Sequence, residues 1–180
     1  MTTIITRYGK PLFSIHGDAE TIELNTPEDC AAVDDPPSAN MQYKDSEWMD
    51  LPPKPSDFYQ FNYEAGEWID PRTIDEIKAQ KWDEIKSGRD SLEFSGFEFE
   101  GGVYDSDQVS QGRIMGAAAA GLDQVWTLAD NTTIDLSASQ LQQLYAALQA
   151  HIANAHERGR IARQLIHEAE TKEQVEAVNL

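Results

Sequence analysis

The longest run of regular apolar spacing lies toward the C-terminal end of the chain. Leu141, Leu144, Tyr145, Leu148, Ile152 and Ala155 recur at helical intervals, and after Gly159 the stripe resumes with Ile161, Ala162, Leu165, Ile166 and Ala169. Such spacing places apolar side chains on one face of an α-helix. Ser137, with Gln140 three residues on, forms a capping box, in which the hydroxyl and the amide satisfy backbone groups left open at a helix start. Unbroken, this helix is about 30 residues and about 45 Å long, at 1.5 Å per residue. One short hairpin is too small to cover its apolar face, so the other elements are expected to pack along it. Just ahead, the segment VWTLADNTTIDL places two apolar-rich runs around Asp130-Asn131. Asn and Asp accept the left-handed backbone of a tight turn, which predicts a hairpin over 125–136.

Shorter patterns organise the rest. Ile4-Ile5, Leu12–Ile15 and Thr21–Leu24 are strand candidates separated by the turn signals Gly9-Lys10-Pro11 and Gly17-Asp18. They predict a three-stranded meander, followed by a loop over residues 27–40. The segment from Tyr43 to Asp50 is then echoed by that from Tyr63 to Asp70, with Tyr, Glu, Trp and Asp recurring 20 positions apart. Each copy predicts an aromatic strand, a polar turn and a strand carrying Trp. Pro52, Pro53 and Pro55 keep the connector extended. A lone two-stranded hairpin is marginal in water, so these two need each other, the following domain or a partner chain.

From Asp70 onward helical patterning dominates. Asp70 is a candidate N-cap with Pro71 at the first helical position, and Thr73 with Glu76 is a competing capping box. Ile74, Ile77, Trp82 and Ile85 form one helix face, with Gly88 a point of weakening. Alternation from Phe94 through Phe97 and Phe99 to Tyr104 predicts a second hairpin, turning at Gly101-Gly102. Ser106 or Asp107 caps a further helix through Val109, Ile114, Met115 and Ala117 to Ala120, and Thr171 with Gln174 caps a short closing helix. The expected fold class is α+β. Residues 1–70 form a β-rich arm of short strands and tandem Tyr/Trp hairpins, and residues 71–180 form a helical domain with two hairpins and a long C-terminal helix. The core available to residues 1–70 is too small for that arm to stand alone.

Charge narrows the range of partners. The formal net charge is -18. Nucleic-acid phosphates and anionic membrane surfaces would be repelled, which leaves simple solvation or a basic protein surface. Cys30 is the single cysteine, so no internal disulfide can form. No continuous apolar segment marks a signal peptide, and no run approaches the ~20 apolar residues of a membrane span. The expectation is a soluble protein made in a cytoplasm.

No reactive constellation stands out. Asp105-Ser106-Asp107 has the spacing of a metal-binding pair of carboxylates, but at a helix start capping explains it better. His151, His156 and His167 lie on the long helix, and the five-residue step between the first two is not the i, i+4 spacing of a zinc helix. No nucleophile elbow, phosphate loop or dinucleotide fingerprint occurs. The expectation is a non-enzyme with no catalytic residues, metal or cofactor. Tyr43, Trp48, Tyr63 and Trp68 are the candidate binding residues. They read as cross-strand aromatic pairs that hold the hairpins, as anchors of a protein interface, or as a platform for stacking sugars.

Four blocks carry a family resemblance: DPRTIDEIKAQKWDEIKSGRD, GFEFEGGVYDSDQVSQGRI, VWTLADNTTIDLSASQL and AHERGRIARQLIHEAETKEQVEAV. In this order and spacing they resemble a domain of uncharacterised function that recurs in tail proteins of tailed bacteriophages. The preceding FYQFNYEAGEW is similar to an aromatic hairpin found before that domain, while residues 1–40 carry no resemblance. The resemblance implies a structural protein of the virion tail, made in the host cytoplasm and bound to tail-fibre or baseplate proteins or to a second copy of itself. It equally allows a tail-fibre assembly chaperone absent from the mature virion and, more weakly, a glycan-binding receptor-recognition module. It supplies no catalytic residue.

Overall fold

The computed structural model describes residues 2–180. The chain divides into two units, one ending at Arg72 and the other running from Thr73 to Leu180. The class is α+β, with small hairpins, a central helical region and a long C-terminal helix.

The N-terminal unit opens with β1 (Thr2–Thr6), β2 (Pro11–Ile15), α1 (Ala19–Leu24) and β3 (Cys30–Asp34). The three strands form an antiparallel sheet in the order β2-β1-β3. This corrects the expected meander in two places. Thr21–Leu24 is helical because the Asp18 carboxylate accepts from the Thr21 amide at 2.9 Å and the Thr21 hydroxyl at 2.7 Å. An N-cap at Asp18 turns the chain into a helix before its β-prone residues can extend. The vacant place in the sheet goes to Cys30–Asp34, a segment expected to be loop, which pairs from Thr2↔Asp34 to Thr6↔Cys30. Little local pattern marks that strand, and its ladder with β1 decides it. Among the described residues the buried apolar side chains of this unit are Ile4, Ile5 and Met41. Thr3 is buried with them, and its hydroxyl bonds to Ser14 at 3.0 Å and Asp35 at 2.6 Å.

Two hairpins complete the unit: β4 (Met41–Lys44) with β5 (Glu47–Asp50), and β6 (Gln60–Asn62) with β7 (Glu67–Ile69). The sequence repeat is not a repeat of register. In the first hairpin Asp45 and Ser46 make a two-residue turn with φ of 53° and 68°, so Tyr43 faces Trp48. In the second, residues 63–66 form the turn, and Asn62 braces it. The Asn62 carbonyl accepts from the Gly66 amide at 2.7 Å, and its side chain accepts from the Glu64 and Ala65 amides at 3.0 and 3.1 Å. The wider turn removes Tyr63 from the ladder and puts Phe61 opposite Trp68. Ser46 occupies left-handed backbone without being glycine, at a cost of about 1 kcal/mol. Ser46→Gly relieves that cost but adds freedom to the unfolded chain, so a net gain of no more than about 0.5 kcal/mol is expected, read as a slightly raised denaturation midpoint.

The C-terminal unit contains α2 (Ile74–Phe94), β8 (Phe97–Phe99), β9 (Gly102–Tyr104), α3 (Gln108–Ala120), β10 (Gln124–Thr127), β11 (Thr133–Leu136), α4 (Ala138–Glu168) and α5 (Lys172–Glu176). Helix α4 is continuous through Gly159 for 31 residues, and both bonds of its Ser137/Gln140 capping box are present. It carries two core clusters. One joins it to the hairpins and α3 through Phe97, Tyr104, Ile114, Leu136, Leu141, Leu144 and Leu148. The other joins it to α2 and α5 through Ile77, Ile85, Ala162, Ile166, Val175 and Val178. The Thr171/Gln174 box caps α5.

Local details depart from expectation. Helix α2 begins at Ile74, capped by Thr73, whose hydroxyl accepts from the Glu76 amide at 3.2 Å while the Glu76 carboxylate accepts from the Thr73 amide at 2.7 Å. Asp70 instead binds Arg72, accepting from its amide at 3.0 Å and its guanidinium at 2.5 Å. Gly88 does not end the helix, which runs to Phe94 and so takes Phe94 out of the strand. A Cβ at 88 would lie 3.4 Å from a Leu180 methyl, an ordinary contact, so the helix passes through Gly88 without packing that requires a glycine. The β8–β9 turn is Glu100-Gly101, with φ of 47° and 83°, and Gly102 opens the return strand. The tight turn expected around Asp130-Asn131 is a five-residue loop over 128–132. There Asn131 is left-handed and the Asp130 carboxylate holds the Thr132 amide at 2.9 Å. No helix among the described residues is long and apolar enough to cross a membrane.

Candidate functional site

The first aromatic hairpin is held against the turn between β1 and β2. The Tyr43 amide donates to the Gly9 carbonyl at 3.0 Å. The Gln42 side-chain amide donates to the carbonyls of Tyr8 at 3.0 Å and Tyr63 at 3.2 Å, tying both hairpins to that turn. Each indole N–H is used internally. Trp48 Nε1 donates to the Asp34 carbonyl at 2.8 Å, and Trp68 Nε1 to the Pro52 carbonyl at 2.9 Å.

The four sequence candidates fall into two clusters rather than one platform. Tyr43 and Trp48 meet edge to face with centroids 5.2 Å apart. Tyr63 and Trp68 each meet Phe61 instead, at 5.0 and 5.3 Å. All four candidates are half-buried, and burial raises the pKa of the Tyr63 phenol. Phe61 was not singled out from the sequence, although it lies two residues before Tyr63 in an aromatic-rich segment. Met49 and Ile69, the residues after each Trp, were also missed. Strand alternation turns them to the opposite face, where they are 51% and 40% exposed. Phe58 is exposed as well, with the Arg72 guanidinium 4.0 Å from its ring centre. The hairpins thus hold themselves together through their tryptophans and offer apolar side chains on the other side.

Asp107, Ser106, His151 and His156 have structural partners. Asp107 caps α3, accepting from the amides of Val109 at 2.9 Å and Ser110 at 3.3 Å and from the Ser110 hydroxyl at 2.6 Å. Those bonds, the Ser110 hydroxyl first, hold its carboxyl below the ordinary aspartate value. Ser106, the competing cap, is buried between the Gly96 amide at 2.9 Å and the Glu93 carbonyl at 2.5 Å. His151 stacks on Phe97 with centroids 5.7 Å apart, and His156 lies 3.1 Å from the Glu93 carboxylate. Among the described residues no three His, Cys, Asp or Glu side chains gather as a metal site.

Asp18 and Asp130 are depressed in the same way, by the hydroxyls of Thr21 and Thr132. A depressed folded-state pKa gives stability that is fully present above the unfolded value of about 3.9 and lost as pH falls through the folded values. The thermal midpoint is therefore expected to fall on acidification below about pH 4, and to fall less in Asp107→Asn, whose cap no longer titrates.

No curated protein and no solved structure matches the chain. The family described as Domain of unknown function (DUF4376) matches residues 76–179, from the first turn of α2 to the penultimate residue. That span covers nearly all of the C-terminal unit and more than half of the chain, so this protein belongs to the DUF4376 family.

Proposed function

We propose that this protein is a non-enzymatic structural subunit of a bacteriophage tail, joined to tail-fibre or baseplate proteins through its N-terminal hairpins. The observation that carries the binding part of this reading is the surplus of apolar surface on the N-terminal unit. Among the described residues three apolar side chains are buried there, while Met49, Phe58 and Ile69 stand at 51%, 45% and 40% exposure. Exposed apolar groups beside a rigid aromatic frame are the usual anchors of protein interfaces. The tail setting comes from the resemblance of the four sequence blocks, which fall on α2, on β8 to α3, on β10 to the start of α4, and on the end of α4 through α5. The net charge of -18 supports a basic protein partner over nucleic acid. Indole N–H groups already bonded to backbone, and rings that meet one another, support a protein contact over sugar stacking.

The test is mass spectrometry of purified virions beside the lysate. The protein is expected in the particles. Trp48→Ala and Trp68→Ala, which dismantle the hairpins, and Met49→Asp with Ile69→Asp, which removes the exposed anchors, are expected to lower incorporation about tenfold or more. Substitution of His167 or Asp105 should leave it unchanged. A protein abundant in the lysate and bound to fibre, yet missing from particles, would establish the assembly-chaperone reading and end the structural one.

A further inference from the structure

A groove of about 650 Å³ runs between α3 and β10 in the C-terminal unit. One wall is a single face of α3, formed by Ser110, Arg113, Gly116 and Ala117. The other wall is every residue from Gln124 to Leu128. Side chains alternate sides along a strand, so five consecutive lining residues mean that the groove follows the strand's edge rather than one of its faces.

That edge is unpaired. The Leu128 amide donates to the Thr132 carbonyl at 2.8 Å, and the ladder continues without a register shift through Trp126↔Ile134. Bonded and non-bonded pairs alternate in an antiparallel ladder, so Trp126 and Gln124 bond inward to β11 while Val125 and Thr127 direct their N–H and C=O groups outward. No other backbone group reaches either residue among the described residues. Across the groove, whose lining Asp105 and Asn131 complete, the Arg113 guanidinium makes no hydrogen bond or ion pair among the described residues, although Asp107 is near enough to feel its charge.

We propose that this groove binds an extended segment of another protein, which adds as a third strand to the free edge of β10 and sets an acidic side chain against Arg113. The outward groups of Val125 and Thr127 have the spacing of a strand's main chain, which is the recognition chemistry of strand addition. Arg113 supplies the side-chain preference, since a guanidinium and a carboxylate make strong paired hydrogen bonds. A second copy of this chain fits less well, because two partners of charge -18 repel. The inference lies in the family-matched unit and depends neither on the tail setting nor on the N-terminal hairpins.

The test screens the full-length protein against an array of random decapeptides and measures affinities of the binders. The expected binders are β-prone and carry Asp or Glu. On binding, the Val125 and Thr127 amides become protected from hydrogen exchange. Arg113→Glu is expected to weaken the binders about tenfold or more, the worth of a charge-assisted hydrogen bond. Val125→Pro removes one outward donor at a position where an edge strand tolerates proline, and should abolish binding, whereas Val125→Thr keeps the donor and should retain it. If Val125→Pro fails to fold, Arg113→Glu and the exchange pattern decide the matter. An array without binders, binders indifferent to Arg113→Glu, or a dimer that pairs through β10 and leaves no free edge would each overturn the proposal. None of these outcomes bears on whether the protein is found in virions.

Discussion

Gly9→Ala is expected to undo the packing of the N-terminal unit while leaving the C-terminal unit folded. Gly9 has a φ of 74°, a conformation that costs a side-chain-bearing residue about 1 kcal/mol or more. A Cβ there would lie 1.8 Å from the Tyr43 carbonyl oxygen and 2.7 Å from its carbon. Backbone cannot step aside as a flexible side chain can. The first hairpin would have to move off the β1–β2 turn, breaking the bond from the Tyr43 amide to the Gly9 carbonyl and the bond from Gln42 to Tyr8. With Ile4, Ile5 and Met41 as its buried apolar core, the unit has little to offset that loss. The expected cost is about 3 kcal/mol or more, within the range of strained backbone and broken packing. Hydrogen exchange would show fast amides across β4 and β5 with unchanged protection in α4. Persistent protection at Tyr43 would contradict this account.

Leu144→Ala should produce the largest loss in the C-terminal unit. Leu144 is fully buried in the cluster that joins α4 to Tyr104, Ile114 and Leu136. Truncation leaves a cavity that rigid neighbours on three elements cannot fill, at a cost of about 2–5 kcal/mol. Because one continuous helix carries both clusters, Ile166→Ala in the other cluster is expected to shift the same unfolding transition. Urea denaturation followed separately by tryptophan fluorescence and far-ultraviolet circular dichroism would test this. With Trp48 and Trp68 replaced by Phe, so that only Trp126 and Trp82 report, one beside each cluster, two separated transitions in either variant would show that the halves of α4 unfold independently.

Within the hairpins, the sequence made Trp48 and Trp68 visible because aromatic residues at strand spacing are rare enough to notice. It suggested that the rings pair within the hairpins, but it did not reveal that each indole N–H would be bonded internally, because the accepting carbonyls of Asp34 and Pro52 lie 14 and 16 residues away. Nor did the repeat announce its broken register. Asn62 and Gly66 open the second turn by two residues, and Phe61 then replaces Tyr63 opposite the tryptophan. Met49 and Ile69 were legible in principle, since each follows a Trp and must point the other way, but their exposure depends on what covers that side.

What the sequence by itself determined was everything set by neighbours within about one helical turn. The Ser137/Gln140 and Thr171/Gln174 boxes, the unbroken stripe of α4, the polar turns of the hairpins and the proline-rich connector all act over a few residues. Tertiary structure decided the rest. It made a strand of Cys30–Asp34 by supplying β1 as its partner, carried α2 past Gly88 by packing it against the C-terminal end and α4, and left the outer edge of β10 open beside Arg113. Caps and periodicity are local free-energy differences that a stretch of sequence contains. A strand's partner, a glycine's neighbour and an edge's vacancy are contacts between distant residues, and only the folded chain brings those together.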